Sequence, residues 1–545
     1  MSKVANYLQE HLLGEVMTSV DAKNYFSTDN SIFTIQPSMI VYPRNESDIR
    51  KTARFTWQLA ERGRVIPITA RGAGTDQTGA AIGNGIILVF SAHMNKILEF
   101  DSKSGLAIIE PGINFSKLQE TLHTHGRFLP SMPSSGEYST LGGAVANNSS
   151  GSDLIKYGEL RGYIQGLRVI LANGEVIETA RINKKELNKK LGLTTFEGEI
   201  YRQIDTLIEE EISIINQSKL NIIKNNAGFD LMDIKRKDGS FDLTPLFVGS
   251  QGTLGIISEI TLSTENYNPE TNLLMATCDN IDQIQSIVNE LNQLSELPSA
   301  IEIIDGNLLR EAYSINSSVF KGLIESPFPA FCLFIELDIV SDRILKKTTK
   351  KIKKILEKNS INVSVEYELA NQQKMWKLRD ISSYLLSHNY GTSKALPVIG
   401  DGVVPYSKVN ELLVGVYKIF ERTKLTPAIW GHIGSGMVHL QPRLDVNQVG
   451  DRQKIFKLMD EYYALILSLG GSISGEGNDG RLRAPYLASM YSTELMTVFE
   501  KVKIIFDPYG TLNPGVKFGT SIEDLKQILR QGYSLNHIYN YLPRN

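Results

Sequence analysis

The sequence predicts an α+β protein of two lobes, on three observations. Short β-rich runs alternate with helical stretches through the first half of the chain. Glycine crowds into three places, Arg71 to Gly85, Gly136 to Gly151 and Gly249 to Gly255, so the loops are the specialised parts. From about Glu265 strand-then-helix units follow one another, the pattern of helices packed on an antiparallel sheet. With 545 residues the chain has length for two to four domains at roughly 100–200 residues each.

Val65–Thr69, Gly85–Phe90 and Leu106–Glu110 are short, β-branched and bounded by turn residues, and are expected to be strands. Asp48–Arg62 carries an acidic start and apolar residues at helical spacing, and Ser116–His125 reads the same way. Gly162–Leu171, Asn173-Gly174 and Val176-Ile177 form a hairpin pattern around an Asn-Gly turn. Beyond a boundary at Tyr267–Pro269, where Asn and Pro interrupt both periodicities, Ile281–Leu294 and Lys346–Glu357 are expected helices. Phe331–Ile339 and Asn362–Glu368 are expected strands of the second lobe.

Composition excludes several classes. The net charge is −3, from 57 basic and 60 acidic residues, which gives no electrostatic footprint for nucleic acid. Two cysteines, Cys278 and Cys332, cannot build a disulfide framework, a four-thiolate zinc site or a cysteine-ligated iron–sulfur cluster. They suit a reducing cytoplasm. Met1–Glu15 lacks the apolar core of a signal peptide, and no apolar window is long enough to span a bilayer. A soluble, cytoplasmic protein is expected, with peripheral attachment at the inner membrane as the alternative. The basic run from Arg343 to Lys354 reads as a solvated helix face.

The first glycine loop, Arg71, Gly72, Ala73, Gly74, Thr75, Asp76 through Gly79, follows a strand. Glycine permits a tight backbone path with successive N–H groups turned inward, a nest for phosphate oxygens. The loop matches neither the dinucleotide fingerprint nor a Walker sequence. Taken alone, an ordinary glycine turn explains it equally well. A second loop spans Pro130–Gly151 and includes Ser134, Thr140, Gly142, Gly143 and Asn147. A third, Val248–Glu259, holds Gly255, Ile256 and Ile257.

In order and spacing these three loops resemble the FAD-binding domain of the vanillyl-alcohol oxidase/p-cresol methylhydroxylase superfamily. Phe26–Asp29, Tyr157-Gly158 and Asp507–Gly515 extend the resemblance over nearly the whole chain. Trp376–Arg379, Asp401–Pro405, Gly431–His439, Ser474–Glu476 and Asp479–Arg481 are similar to the D-lactate, glycolate and D-2-hydroxyglutarate dehydrogenase branch. His439–Arg443 with Arg481–Leu487 is most similar to long bacterial members that carry an iron–sulfur domain behind the flavoprotein, a domain that two cysteines could not supply. The resemblance implies a two-part PCMH-type FAD-binding domain over residues 1–265, a cap over 266–504, and a segment 505–545 returning to the flavin. It implies oxidation of a D-2-hydroxy acid to the 2-oxo acid. Electrons would pass to a separate quinone, cytochrome or iron–sulfur protein, and an oligomer is compatible with it. Superfamily members often link FAD to a histidine in the first loop; Thr75 and Asp76 stand there, and His93, His123 and His125 lie elsewhere, so non-covalent FAD is expected.

His432 and His439 with Glu476 make a reasonable divalent-metal set, zinc first, iron or manganese as alternatives. Spacing alone fits a structural histidine pair better; the resemblance implies ligands. Arg379 is the expected clamp for a substrate carboxylate, against a surface arginine on a helix, and Lys394 is a second candidate. Asn513 is placed by the resemblance at the flavin, with an Asx turn before Pro514 as a compatible role. One departure stands out. The resemblance places a general-base histidine after the glutamate, and Gly477 occupies that position. His388 is a conceivable substitute. A catalytically silent flavin-binding subunit and an oxygen-using FAD oxidase are the rival readings.

Overall fold

The computed structural model describes residues 3–382 and 392–534. The first lobe holds two large sheets and a two-stranded pair, Arg127–Phe128 with Glu265–Asn266. Glu15–Met17, Met39–Tyr42, Ile86–Val89 and Ile68–Arg71 pair in that order, the last three parallel. Parallel strands need covered faces, and the central one, Ile86–Val89, is apolar and buried at every position. Ile97–Asp101, Leu106–Ile109, Ile256–Ser263, Ile164–Ile170 and Val176–Thr179 form an antiparallel sheet. Ile256–Ser263 alternates buried and half-buried residues, the period-two signature of a sheet with one covered face.

The expected helix at Asp48 forms over Glu46–Ala60, where Asn45 caps it by accepting from the Asp48 N–H. The strand expected at Val65 starts later, at Ile68, because Pro67 cannot donate to a ladder.

The cap is one six-stranded antiparallel sheet, ordered Asn362–Glu366, Asn272–Cys278, Phe331–Leu337, Ala300–Asp305, Ile429–Gly431 and His439–Leu440. Its pleat sorts the side chains. Ile301, Ile303, Leu333 and Ile335 face the main cap core with the helices Ile281–Asn292, Asp342–Lys358 and Val409–Thr423. Phe334 and Ile304 face a second cluster beneath the helix Leu369–Arg379. Glu302 pairs with Phe334 in register and so shares that second face.

The chain re-enters the first lobe before residue 505. Leu495, Val498, Phe499 and Val502 of the helix Thr493–Phe506 are packed in the core of the first lobe. Among the described residues no helix is long and apolar enough to cross a membrane. The expected solvated basic helix is Asp342–Lys358, with Leu345, Ile352, Ile355 and Leu356 inward and its lysines outward.

Candidate functional site

A cavity of about 860 Å³ lies between the lobes. The first lobe lines it with backbone and small side chains: Arg71, Gly72, Ala73, Gly74, Thr75 and Asp76 from the first loop, Ser134, Thr140, Gly142, Gly143, Asn147 and Gly151 from the second, Gly255 and Ile257 from the third. Thr140 caps the short helix Leu141–Asn147 by accepting from the Gly143 N–H at 3.3 Å. The crowding explains the glycines. A β-carbon on Gly142 would sit 2.5 Å from Pro111 Cβ, and one on Gly72 would sit 2.0 Å from Thr140 Oγ1.

Four expected residues do not line the cavity: Gly79, Ile256, Asn513 and Lys394. Ile256 points into the core of the first sheet. Asn513 supports the cradle from behind: its Nδ2 donates to the carbonyls of Ala80 and Gln251 at 2.9 and 2.8 Å, and its Oδ1 accepts from the Thr69 hydroxyl at 2.9 Å. Its side chain ties three segments rather than making an Asx turn. Lys394 is half-buried on a two-residue strand paired with Leu444. His388 lies outside the described residues.

The cap wall is built from charges. His432 follows the strand Ile429–Gly431, and His439 faces Trp430 on the next strand. The turn between them depends on Gly436, at φ +72°, where an added β-carbon would meet the Val404 carbonyl at 2.0 Å. One donor atom each from His432, His439 and Glu476 falls within 4.8 Å of the others. His432 Nε2 lies 3.3 Å and His439 Nε2 2.9 Å from Glu476 Oε2. Among the described residues, His439 Nε2 is buried with only the Glu476 oxygen close to it, and out of hydrogen-bond alignment, an arrangement that a cation between the two would satisfy. The donor set fits a divalent metal.

Sequence reasoning missed the residue beneath. Glu302, fully buried, bonds His432 Nδ1 through Oε1 at 2.7 Å and accepts from Arg379 Nε and Nη2 through Oε2 at 2.9 and 2.6 Å. Arg379 is 6% exposed, so the surface-arginine alternative falls. Burial alone would lower the His432 pKa, but Glu302 and Glu476 override it and raise it to about 10. Burial likewise opposes charge on Glu302 and Glu476, yet their cationic neighbours hold both below the usual carboxylate range. Close by, burial pushes the Glu336 carboxyl up to about 7.

Glu476 also reaches across the lobes. Its Oε1 accepts from the backbone N–H and hydroxyl of Ser134, both at 3.2 Å. The segment around it is fastened to the first lobe. Asn226 Nδ2 donates to the carbonyls of Gly475 and Gly477, and Asn478 Nδ2 to that of Gly249. Gly477 itself is close-packed: its N–H donates to Asp401 Oδ2 at 2.9 Å, and Asp401 pairs with Arg483 at 3.0 Å. A β-carbon there would lie 2.3 Å from Asp401 Oδ2. The Asp401 carboxylate fills the room that a side chain at 477 would need.

Residues 37–180 match a family model described as an FAD binding domain, and residues 268–516 match the C-terminal domain of FAD linked oxidases. The chain belongs to the FAD-linked oxidases. The flavoprotein is 28% identical over 534 residues to the D-2-hydroxyglutarate dehydrogenase of Escherichia coli (strain K12), covering 94% of this chain and 51% of that one. It therefore spans about half the length of the D-2-hydroxyglutarate dehydrogenases it matches first. It is also 28% identical to glycolate oxidase subunit GlcD of Bacillus subtilis (strain 168), covering 93% and 92% of the two chains. Among solved structures, 4-ethylphenol oxidase from Gulosibacter chungangensis superposes with a TM-score of 0.68 at 14% identity, covering 96% and 98%. That likeness establishes the PCMH-type α+β fold.

The glycine wall suits FAD. Arg71 Nη2 and Ser139 Oγ are buried at the cavity wall without partners among the described residues, the kind of donor a dinucleotide would use.

Proposed function

We propose that this flavoprotein oxidises a D-2-hydroxy acid, of the D-lactate or D-2-hydroxyglutarate class, to its 2-oxo acid. The carrying observation is that a guanidinium, Arg379, and a metal-competent set, His432, His439 and Glu476, face the same cavity as the three glycine loops. FAD, held non-covalently by Arg71–Asp76, Ser134, Thr140–Gly143, Asn147, Gly151, Gly255 and Ile257, would supply a two-electron acceptor for the α-hydrogen. A divalent ion on His432, His439 and Glu476, zinc first, would polarise the substrate hydroxyl.

The chain's own residues do the rest. Arg379 keeps Nη1 free of Glu302, with the Asp380 carboxylate 3.6 Å from it, and a substrate carboxylate would compete with Asp380 for that edge. Ser134 orients Glu476. As the α-hydrogen leaves as hydride the hydroxyl proton must leave too; Gly477 cannot take it, so in this reading it passes to water in the cavity. Lys394 would serve as a second carboxylate contact only after moving into the cavity. Cytoplasmic placement, alone or peripheral at the inner membrane, with electrons leaving to a quinone, cytochrome or iron–sulfur partner, completes the reading. The relatives' names carry the substrate class.

Gly477 favours a second reading, a flavin-binding subunit that is weak or silent without a partner chain. Anaerobic mixing with D- and L-2-hydroxy acids separates the two. Bleaching of the flavin band by the D enantiomers supports the dehydrogenase; peroxide on admission of air assigns an oxidase. An unreduced flavin, with FAD and metal both confirmed, rejects the enzyme reading in favour of the silent subunit.

A further inference from the structure

We propose that Glu302 is the positioning residue of this site, orienting the metal donor His432 and the carboxylate clamp Arg379 with one buried side chain. The inference rests on the metal reading above.

The geometry leaves Glu302 nothing else to do. It is fully buried on the strand Ala300–Asp305, on the sheet face covered by the helix that ends in Arg379. Both of its oxygens are spoken for. Oε1 takes the His432 Nδ1 proton at 2.7 Å, and Oε2 takes Arg379 Nε and Nη2 at 2.9 and 2.6 Å. A carboxylate only accepts, so it fixes His432 with hydrogen on Nδ1 and leaves Nε2, the nitrogen beside Glu476, as the metal-facing atom. A carboxylate behind an imidazole also raises its basicity as a ligand, and losing such a partner typically weakens metal affinity about 10–100-fold. The other oxygen fixes the guanidinium by Nε and Nη2, so Nη1 is the edge left outside this pair, 3.6 Å from Asp380. Neither function needs Glu302 to touch metal, flavin or substrate.

Glu302→Gln tests this, because the amide keeps the shape and turns one acceptor into a donor. An amide N–H facing Nδ1 would force the hydrogen onto Nε2, the wrong nitrogen for a ligand. The measurement is zinc affinity of the FAD-loaded chain by competition with a chelating dye, with flavin content read from its absorbance. The expected result is zinc binding weakened about 10–100-fold at unchanged flavin content, with Glu302→Asp intermediate. At saturating zinc the remaining defect should fall on KM for the hydroxy acid more than on kcat. Zinc affinity within about twofold of wild type overturns the proposal.

Where Glu302→Gln sheds its flavin, Glu302→Gln with Arg379→Met removes the stranded cation and restores a neutral core. That pair should still bind zinc weakly, and wild-type affinity in it overturns the proposal equally. A wild type that holds FAD but takes up no zinc removes the metal reading, and this inference with it. Weakened zinc binding in a chain that never oxidises a hydroxy acid upholds Glu302 and rejects only the substrate class.

Discussion

The two walls of the cavity are made by opposite means. The first lobe offers backbone N–H groups, hydroxyls and glycines, whose order is held by steric fit: Gly142 against Pro111, Gly72 against Thr140. The cap offers an alternating lattice of charge, Arg379, Glu302, His432 and Glu476, held by mutual attraction under burial. A steric wall fails by crowding and a charge lattice fails by subtraction. The difference teaches where each wall is vulnerable.

The largest effect is expected from subtraction. His432→Ala leaves the Glu302 and Glu476 carboxylates buried without the imidazole they share, and breaking a buried pair typically costs about 3–5 kcal/mol. Denaturant unfolding should show that loss, and elemental analysis should show metal gone while flavin stays. Equal stability would mean that the cap wall is not a coupled lattice.

Gly477→His sharpens the comparison, since it adds a charge-bearing group at a crowded point. The new side chain must first turn Asp401 away from Gly477 and Arg483. If it does, and a missing base limits turnover, flavin reduction should quicken by up to about 10²–10⁴-fold. A wild type already fast in stopped flow would remove the premise. Unchanged rates in the variant would show that the Asp401 arrangement holds.

Crowding alone is probed by Gly142→Ala. Forcing a methyl against Pro111 should cost about 1–3 kcal/mol, read as weaker FAD retention at unchanged zinc affinity. A parallel loss of zinc would show that the walls are not independent. The smallest effect belongs to Lys350→Glu on the outer face of the helix Asp342–Lys358, where a surface change is expected within about ±0.5 kcal/mol. A larger shift would show that this face has a partner.

The same contrast decides what the sequence could reveal. Steric walls leave their mark in residue type, because few side chains tolerate those backbone approaches; the three loops were therefore legible by inspection. His432, His439 and Glu476 are expected together only through the family resemblance, since their spacing alone fits a structural histidine pair better; the fold does bring the three side chains together. Glu302 was not legible, although Ala300-Ile-Glu-Ile-Ile-Asp305 does carry a signal: an acid in a run buried throughout must be paired. Which partner it takes depends on Arg379 and His432, 77 and 130 positions away. Asp401 filling the space at Gly477 is hidden for the same reason. The early return of the chain at Thr493 was missed because an amphipathic helix does not announce which lobe it will pack against.

The bond from Ser134 to Glu476 joins residues 342 positions apart. Contacts of such separation close a very long loop and belong to the slow, late part of folding. The cap can collapse around its own core, but the Glu476 carboxylate receives its final orientation only on docking. A ribosome releasing this chain would therefore emit the glycine loops long before Asn513 and the helix Thr493–Phe506, which brace them, are available. Competence to bind the ion would mark the end of assembly.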